Sequence, residues 1–302
     1  MIARQFRVLE AAGLSPATST IFSGFNRKIA ARISLAAIFK KGTFVMDSKR
    51  NITIDDIDYS IRNTPIFYLK FTSKKSYAND ILDGNLYANT AKWFRDKELT
   101  SGEHGQGDKN ELLYSMPLFS IQFTNPETGD LEFEIPQARG RISFDSDDNI
   151  PIVCFVGIPL NEMNILHSTP NDLVFSLPFS ETEFLEISKI FGEYCVLIEA
   201  KALTEAIEKY CKENSCRYNL KNITYCASNY IDKAQAFAKG DIDRFFFKDE
   251  DYAYQREYRL IFDRNIPEDH YIRIGSLKEH AVILNSSELS KLHLVLHLKT
   301  NC

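Results

Sequence analysis

The sequence predicts an α+β fold built on a mainly antiparallel, split sheet. Three observations carry this reading. Compact runs of β-forming residues, among them Ile66–Phe71, Ile152–Ile158, Tyr194–Ala200 and Tyr258–Phe262, read as strands. Segments with helical spacing carry recognisable ends: Ser73–Asp83 is closed by Gly84, Ser180 forms a capping box with Glu183, and Ser228–Lys239 stops at Gly240. Strands and helices mix without the strict alternation that a doubly wound parallel sheet requires, and no internal repeat is present.

Taken in order, residues 1–45 stand apart. They hold seven basic residues and one acid, Glu10, and Met46 follows them. Three readings compete: a transit-type peptide, an amphipathic arm that docks on a partner or on the body, or a translated upstream region with Met46 as the start. Residues 46–302 read as one domain. Beyond the first strand and helix, Leu86 and Tyr87 begin a second extended piece, and the polar, glycine-bearing stretch Asp96–Glu111 reads as a long loop. Met116–Phe123 is apolar enough to be a buried strand, Asn125–Gly129 is turn chemistry, and Arg139–Asn149 resembles an exposed hairpin. Helices are expected from Ser180 to near Gly192 and over Leu203–Lys212. A short strand is expected at Ile223–Cys226, and the chain closes with strands at Ile272–Ile274, Ala281–Leu284 and Leu292–Leu298.

Composition narrows the function classes. The 302 residues are 44% hydrophobic and 25% charged, with a net charge of -5. Because the first 45 residues are basic, the remainder is more acidic than that figure, which argues against broad adhesion to nucleic-acid phosphates. No apolar run approaches the roughly 20 residues that span a bilayer, so no membrane association is expected. Six cysteines in a chain of this length are too sparse for a disulfide scaffold and point to a reducing, cytoplasmic setting. No metal is expected: Cys211 and Cys216 lack a second ligand pair, and His293 and His297 alternate within a strand-like run. Nor is there a phosphate-binding glycine loop or a nucleophile elbow.

Three clusters have chemical potential. In Tyr254-Gln255-Arg256-Glu257-Tyr258-Arg259, strand alternation would project Gln255, Glu257 and Arg259 from one face and Tyr258, Leu260 and Phe262 from the other. An amide, a carboxylate and a guanidinium together suit hydroxyls and phosphates, and the carboxylate suits a developing cation. The competing reading is a solvated edge face with a surface Glu–Arg pair. In Tyr68-Leu69-Lys70-Phe71-Thr72, Tyr68 and Lys70 share a face, and a lysine within an apolar strand must reach water, a carboxylate or a ligand anion. Around Trp93-Phe94-Arg95-Asp96 and Gly105–Glu111, acids on a glycine-rich loop either hold a ligand or simply face solvent.

These motifs, in this order, resemble bacterial ADP-ribosyltransferase-like domains over roughly residues 65–285. The Tyr-x-Lys-Phe-Thr strand and the helix end Ile81-Leu82-x-Gly84-x-Leu86-Tyr87 are similar to the opening of such domains, and Tyr254–Arg259 is similar to their Gln/Glu-x-Glu active strand. The resemblance implies NAD as substrate, with Glu257 on the nicotinamide-ribose 2′-hydroxyl and Gln255 orienting the acceptor. It also implies Lys70 at a ribose, Tyr68 or Tyr87 stacking near nicotinamide, Arg95 on the pyrophosphate and Arg259 beside the dinucleotide. Lys70 stands where the family often has His, and Gln255 where Glu is more frequent. The similar domains include toxins of phage-defence systems, so the implied function is transfer of ADP-ribose to a nucleic acid or protein, with a possible antitoxin as partner. An NAD glycohydrolase on the same scaffold and a non-catalytic binding module are the alternatives.

Overall fold

The computed structural model describes residues 30–34 and 51–297, apart from 103–104, 118–119, 137–138, 171 and 228–229. The basic segment 1–45 therefore lies outside the described residues except for Ala30–Ser34, a strand that runs parallel to His293–His297. The chain is a mixture of helices and mostly antiparallel strands, and it divides into two compact units where the sequence suggested one domain.

The first unit comprises residues 1–86, 155–214 and 272–302. Its axis is the strand Pro65–Thr72, which pairs antiparallel with Tyr194–Glu199 in the register Leu69↔Leu197. Tyr194–Glu199 pairs in turn with Ala281–Asn285, and the far side of Pro65–Thr72 receives Ile152–Pro159 through Tyr68↔Gly157. A second sheet places His293–His297 between Ala30–Ser34 and Asp172–Ser176, with Asn164–Ser168 outside the latter. Phe67, Leu69, Cys195 and Leu197 from the first sheet and Leu173, Phe175, Leu294 and Leu296 from the second close one apolar core. Burial of that area is the main stabilising term.

Local sequence signals hold here. Ser180 and Glu183 form the expected capping box at the head of the helix Glu181–Phe191. The helix Lys75–Leu82 ends at Gly84, whose φ of 82° lies in the left-handed region. That glycine is doubly required, because a Cβ there would sit 1.7 Å from the carbonyl oxygen of Gly275. The close approach lets Ile274 N donate to Gly84 O at 2.9 Å.

The second unit comprises residues 87–154 and 215–271. Its pairings are short: Tyr114–Pro117 with Arg139–Ile142, Ser120–Thr124 with Leu131–Pro136, and Tyr218–Asn222 with Glu257–Phe262, all antiparallel, plus a two-residue parallel ladder of Thr224–Tyr225 with Phe247–Lys248. The helix Ala91–Ser101 is capped by Thr90, and Ile231–Lys239 ends at Gly240. Phe237, Phe245, Phe246 and Ile261 lead its apolar core.

Three expectations fail in this unit. The apolar run Met116–Phe123 is not one buried strand. It splits, and its second half forms an exposed hairpin that pairs Phe123 with Phe133 at 5.8 Å between ring centroids. Arg139–Asn149 is not an exposed hairpin, because Asp147 is buried in a two-pronged ion pair with Arg244 at 2.6 and 2.7 Å. Asp96–Glu111 is not wholly a loop, because the helix continues to Ser101 and the remainder folds back onto it.

Replacing Gly84 with Ala is expected to cost roughly 2–4 kcal/mol, combining a left-handed penalty with a backbone clash. Urea unfolding would show this as a lower midpoint at unchanged slope.

Candidate functional site

The segment that carries Glu257 is shaped by a change of backbone type. Asp249 caps a 3-10 helix, Glu250–Gln255, and Arg256 then takes a left-handed φ of 44°, which turns the chain into the strand Glu257–Phe262. Gln255 therefore does not lie on the strand, and the expectation of three side chains alternating along one face is corrected. Glu257 and Arg259 do share a face. That face is buried, so the solvated-edge reading is also overturned: Glu257 is 5% exposed and Arg259 1%.

A carboxylate at such depth survives only if paired and hydrogen-bonded. Arg259 Nε donates to Glu257 Oε1 at 2.8 Å, and Lys248 Nζ donates to Glu257 Oε2 at 3.2 Å. Burial pushes the Glu257 carboxyl up, but the charges of Arg259 and Lys248 push it further down, and its net position is well below the ordinary carboxylate range. Burial pushes the Lys248 ammonium down, yet Glu257 and Glu111 together raise it, so Lys248 stays charged. The two-residue ladder delivers this lysine. It pairs Lys248 with Tyr225, and the Tyr225 hydroxyl accepts the backbone N–H of Glu257 at 2.8 Å. Residue 257 is thus held at its main chain and at its side chain by neighbours on one ladder.

Lys248 also fixes Gln255. Its ammonium donates to Gln255 Oε1 at 2.8 Å and lies 4.4 Å from the centre of the Tyr252 ring, a cation–π distance. The Gln255 amide nitrogen in turn donates to the Gly105 carbonyl at 2.9 Å and to the Tyr254 hydroxyl at 3.3 Å. A glutamate at 255 would direct an oxygen at the Gly105 carbonyl, which accounts for an amide at this position.

The glycine-bearing segment closes the network. Gly107 packs so tightly on the helix Ala91–Ser101 that a Cβ would lie 2.5 Å from Glu98 N. Asp108 N donates to Phe94 O at 3.0 Å and Glu111 N to Asp108 O at 2.9 Å, which turns both acids inward. Glu111 grips Arg259 with both oxygens, at 2.6 and 3.2 Å, and Arg259 also donates to Phe245 O at 2.7 Å. Tyr252 donates to Glu98 Oε2 at 3.1 Å. Asp108, Glu98 and Glu111 are buried, so the solvated-loop reading is corrected. Asp108 is 4% exposed and makes no ion pair among the described residues, and its side chain accepts from Asn110 N at 2.9 Å. Burial, then the nearby Glu111 charge, pushes its carboxyl up to about 6.

The structure thus brings Glu257, Gln255 and Arg259 together and adds Lys248, Glu111, Asp108 and Tyr225, which the sequence reading did not select as a group. Arg95 joins through Glu111 O at 3.0 Å and an ion pair with Asp148, so its guanidinium is already engaged. Arg259 is likewise engaged inside the protein, by Glu257, Glu111 and Phe245 O. Tyr68 and Lys70 lie in the first unit and share a face as expected: the Tyr68 ring is 5.7 Å from the Phe155 ring, and Lys70 Nζ lies 5.7 Å over that same ring. Tyr87 lies in the second unit, half exposed and stacked on His270. Sequence spacing alone could not find Lys248, because the ladder that presents it is only two residues long. No protein-family model, curated protein or solved structure matches this chain.

Two predictions follow from the charges. Replacing Glu111 with Gln removes one partner of a buried pair and is expected to cost about 3–5 kcal/mol, read from denaturant unfolding. For Asp108 the carboxyl is raised in the folded state, so the native protein binds more protons than the unfolded chain between about pH 4 and 6. Its contribution is therefore favourable at low pH and is lost as pH rises. Asp108→Asn should be more stable than wild type at pH 7 by about 2–3 kcal/mol, with the gap shrinking toward pH 4.

Proposed function

We propose that this chain is an NAD-dependent ADP-ribosyltransferase on an ADP-ribosyltransferase-like scaffold, with Glu257 as its catalytic carboxylate. The observation that carries the reading is the state of Glu257: buried, ionised, and fixed by Arg259 and Lys248 on a face set by the Glu257–Phe262 strand. Breaking the bond between nicotinamide and ribose releases neutral nicotinamide and leaves positive charge on the sugar. A preorganised anion in a low-dielectric setting stabilises that charge far more than one in water. In this reading Glu257 also accepts a hydrogen bond from the ribose 2′-hydroxyl, and Lys248 gives way at Oε2 to admit it. The acceptor is a nucleic acid or a protein. The setting is a cytoplasmic toxin or antiviral effector, held in check by an antitoxin.

One observation favours a second reading, NAD hydrolysis on the same scaffold. The Gln255 amide is committed to Gly105 and Tyr254 and its carbonyl to Lys248, which leaves it no free group to orient a macromolecular acceptor. Water needs no such orientation.

Incubation of the protein with labelled NAD and lysate separates the two. Label on material sensitive to protease or nuclease supports transfer, and free ADP-ribose alone supports hydrolysis. Glu257→Gln is expected to lower either turnover by about 10²–10³-fold. Equal turnover by the wild type and a folded Glu257→Gln protein would sink both readings and leave a binding module.

A further inference from the structure

Residues 120–136 of the second unit form a hairpin with an apolar side, and that side faces water. The register pairs Ile121 with Ile135 and Phe123 with Phe133, and paired residues project to the same face. The rings of Phe123 and Phe133 meet at 5.8 Å between centroids. Yet Phe123 is 49% exposed, Phe133 58% and Ile135 37%. Apolar side chains gathered in this way on the surface of a folded chain mark an interaction site.

The turn holds the hairpin in shape. Asn125 Oδ1 accepts from Glu127 N at 2.8 Å and from Thr128 N at 3.2 Å, and Asn125 N donates to Asp130 O at 2.8 Å. Gly129 completes the reversal with a left-handed φ of 78°. The register is therefore set by local bonds, and the apolar face is preformed, so little ordering is needed when a partner binds.

The edge is guarded where the face is not. Leu131–Pro136 belongs to a two-stranded sheet, so its outer edge is unpaired among the described residues. That strand carries a register shift, Glu132, Glu134 and a terminal proline, the features by which proteins discourage a further strand. Charge then selects the occupant of the face. Residues 120–136 hold four acids, Glu127, Asp130, Glu132 and Glu134, and no lysine or arginine. All four are exposed and none is in an ion pair among the described residues; Glu132 accepts from the neutral Asn125 amide at 2.8 Å. The bases that follow, Arg139 and Arg141, belong to a separate ladder with Tyr114–Pro117. Two copies meeting through this face would bring the acids together, which is repulsive.

We propose that the face formed by Ile121, Phe123, Phe133 and Ile135 docks an amphipathic helix of a partner protein, whose apolar stripe is flanked by Lys and Arg that meet the acids of the hairpin. The dimensions agree: two strands about 4.8 Å apart, with their side chains, make a ribbon about as wide as one helix, roughly 10 Å across. An isolated hairpin is marginal in water and becomes stable when a helix packs against its apolar side. Opposite charge steers and orients the partner, and the aromatic contact supplies the affinity. The surface stands independently of the reading of Glu257, since docking requires no turnover.

Fluorescence anisotropy of labelled synthetic peptides with the full chain tests the proposal. The probe is about 18 residues long, with Leu at i, i+3, i+4 and i+7 spacing and Lys elsewhere. One control replaces Lys with Glu, and the other scrambles the order of Lys and Leu. The Lys probe should bind at least about tenfold more tightly than either control. Phe123→Ser with Phe133→Ser, both at exposed positions, should weaken it by about tenfold or more. Glu132→Lys with Glu134→Lys leaves the apolar face whole and should reverse the preference, so that the Glu peptide binds the better. Glu257→Gln should bind the probe like wild type, which separates this result from the fate of the transferase reading. Equal binding of the scrambled control, unchanged binding by the double Phe variant, or an unreversed preference overturns the proposal. So does an absence of binding, and a dimer in sedimentation would then give the face to a second copy.

Discussion

Taking the Glu257 charge out of water is the constraint on which the second unit turns. A carboxylate with 5% of its surface exposed must be matched, and each match creates a further obligation. Arg259 supplies one cation but is itself almost wholly buried, so Glu111 must grip it, and Glu111 reaches it because the Asp108–Glu111 turn folds back on the helix Ala91–Ser101. Lys248 supplies the second cation and needs Gln255, the Tyr252 ring and the Thr224–Tyr225 ladder to hold it there. Much of the irregular backbone in this unit, including the 3-10 turn and the close approach at Gly107, serves to bring these partners to one place.

The cluster does not close evenly. Lys248 and Arg259 face Glu257, Glu111 and Asp108, and the two ion-paired glutamates account for both cations. Asp108 is left without an ion pair among the described residues, and burial, then the Glu111 charge, raises its carboxyl to about 6. A buried site with one more acid than base favours either a proton or a positively charged ligand. A dinucleotide whose pyridinium ring carries positive charge, and whose ribose becomes cationic as that ring departs, has the complementary character.

Much of the fold was legible in sequence because local rules governed it. The Ser180–Glu183 capping box, the stops at Gly84 and Gly240 and the apolar strands around Leu69, Leu197 and Ile261 obey propensity and periodicity, and the structure follows them. The site was legible only in part. Glu257 and Arg259 stood out because a charged pair interrupts an apolar strand. Spacing gives no sign that Lys248 and Glu111 are buried, since that is decided by partners elsewhere in the chain, Gln255 and Glu257 for the lysine and Arg259 for the glutamate. Gln255 was placed on the wrong kind of backbone because the left-handed turn falls on an arginine, a residue that gives no warning of it. Met116–Phe123 reads as a buried strand because it is apolar, whereas its second half joins a hairpin, Ser120–Thr124 with Leu131–Pro136, whose side chains lie largely at the surface.

The left-handed turn at Arg256 has one more consequence. It leaves no slack between the 3-10 turn that holds Gln255 and the strand that begins with Glu257. Strand side chains alternate strictly, so inserting or deleting a single codon there would exchange the ion-lined face for the one that carries Tyr258 and Leu260. Chain length between residues 255 and 257 is therefore as tightly specified as residue identity, and related sequences that keep this charge network should differ in length elsewhere first, as at the solvent-facing tip Asn125–Gly129.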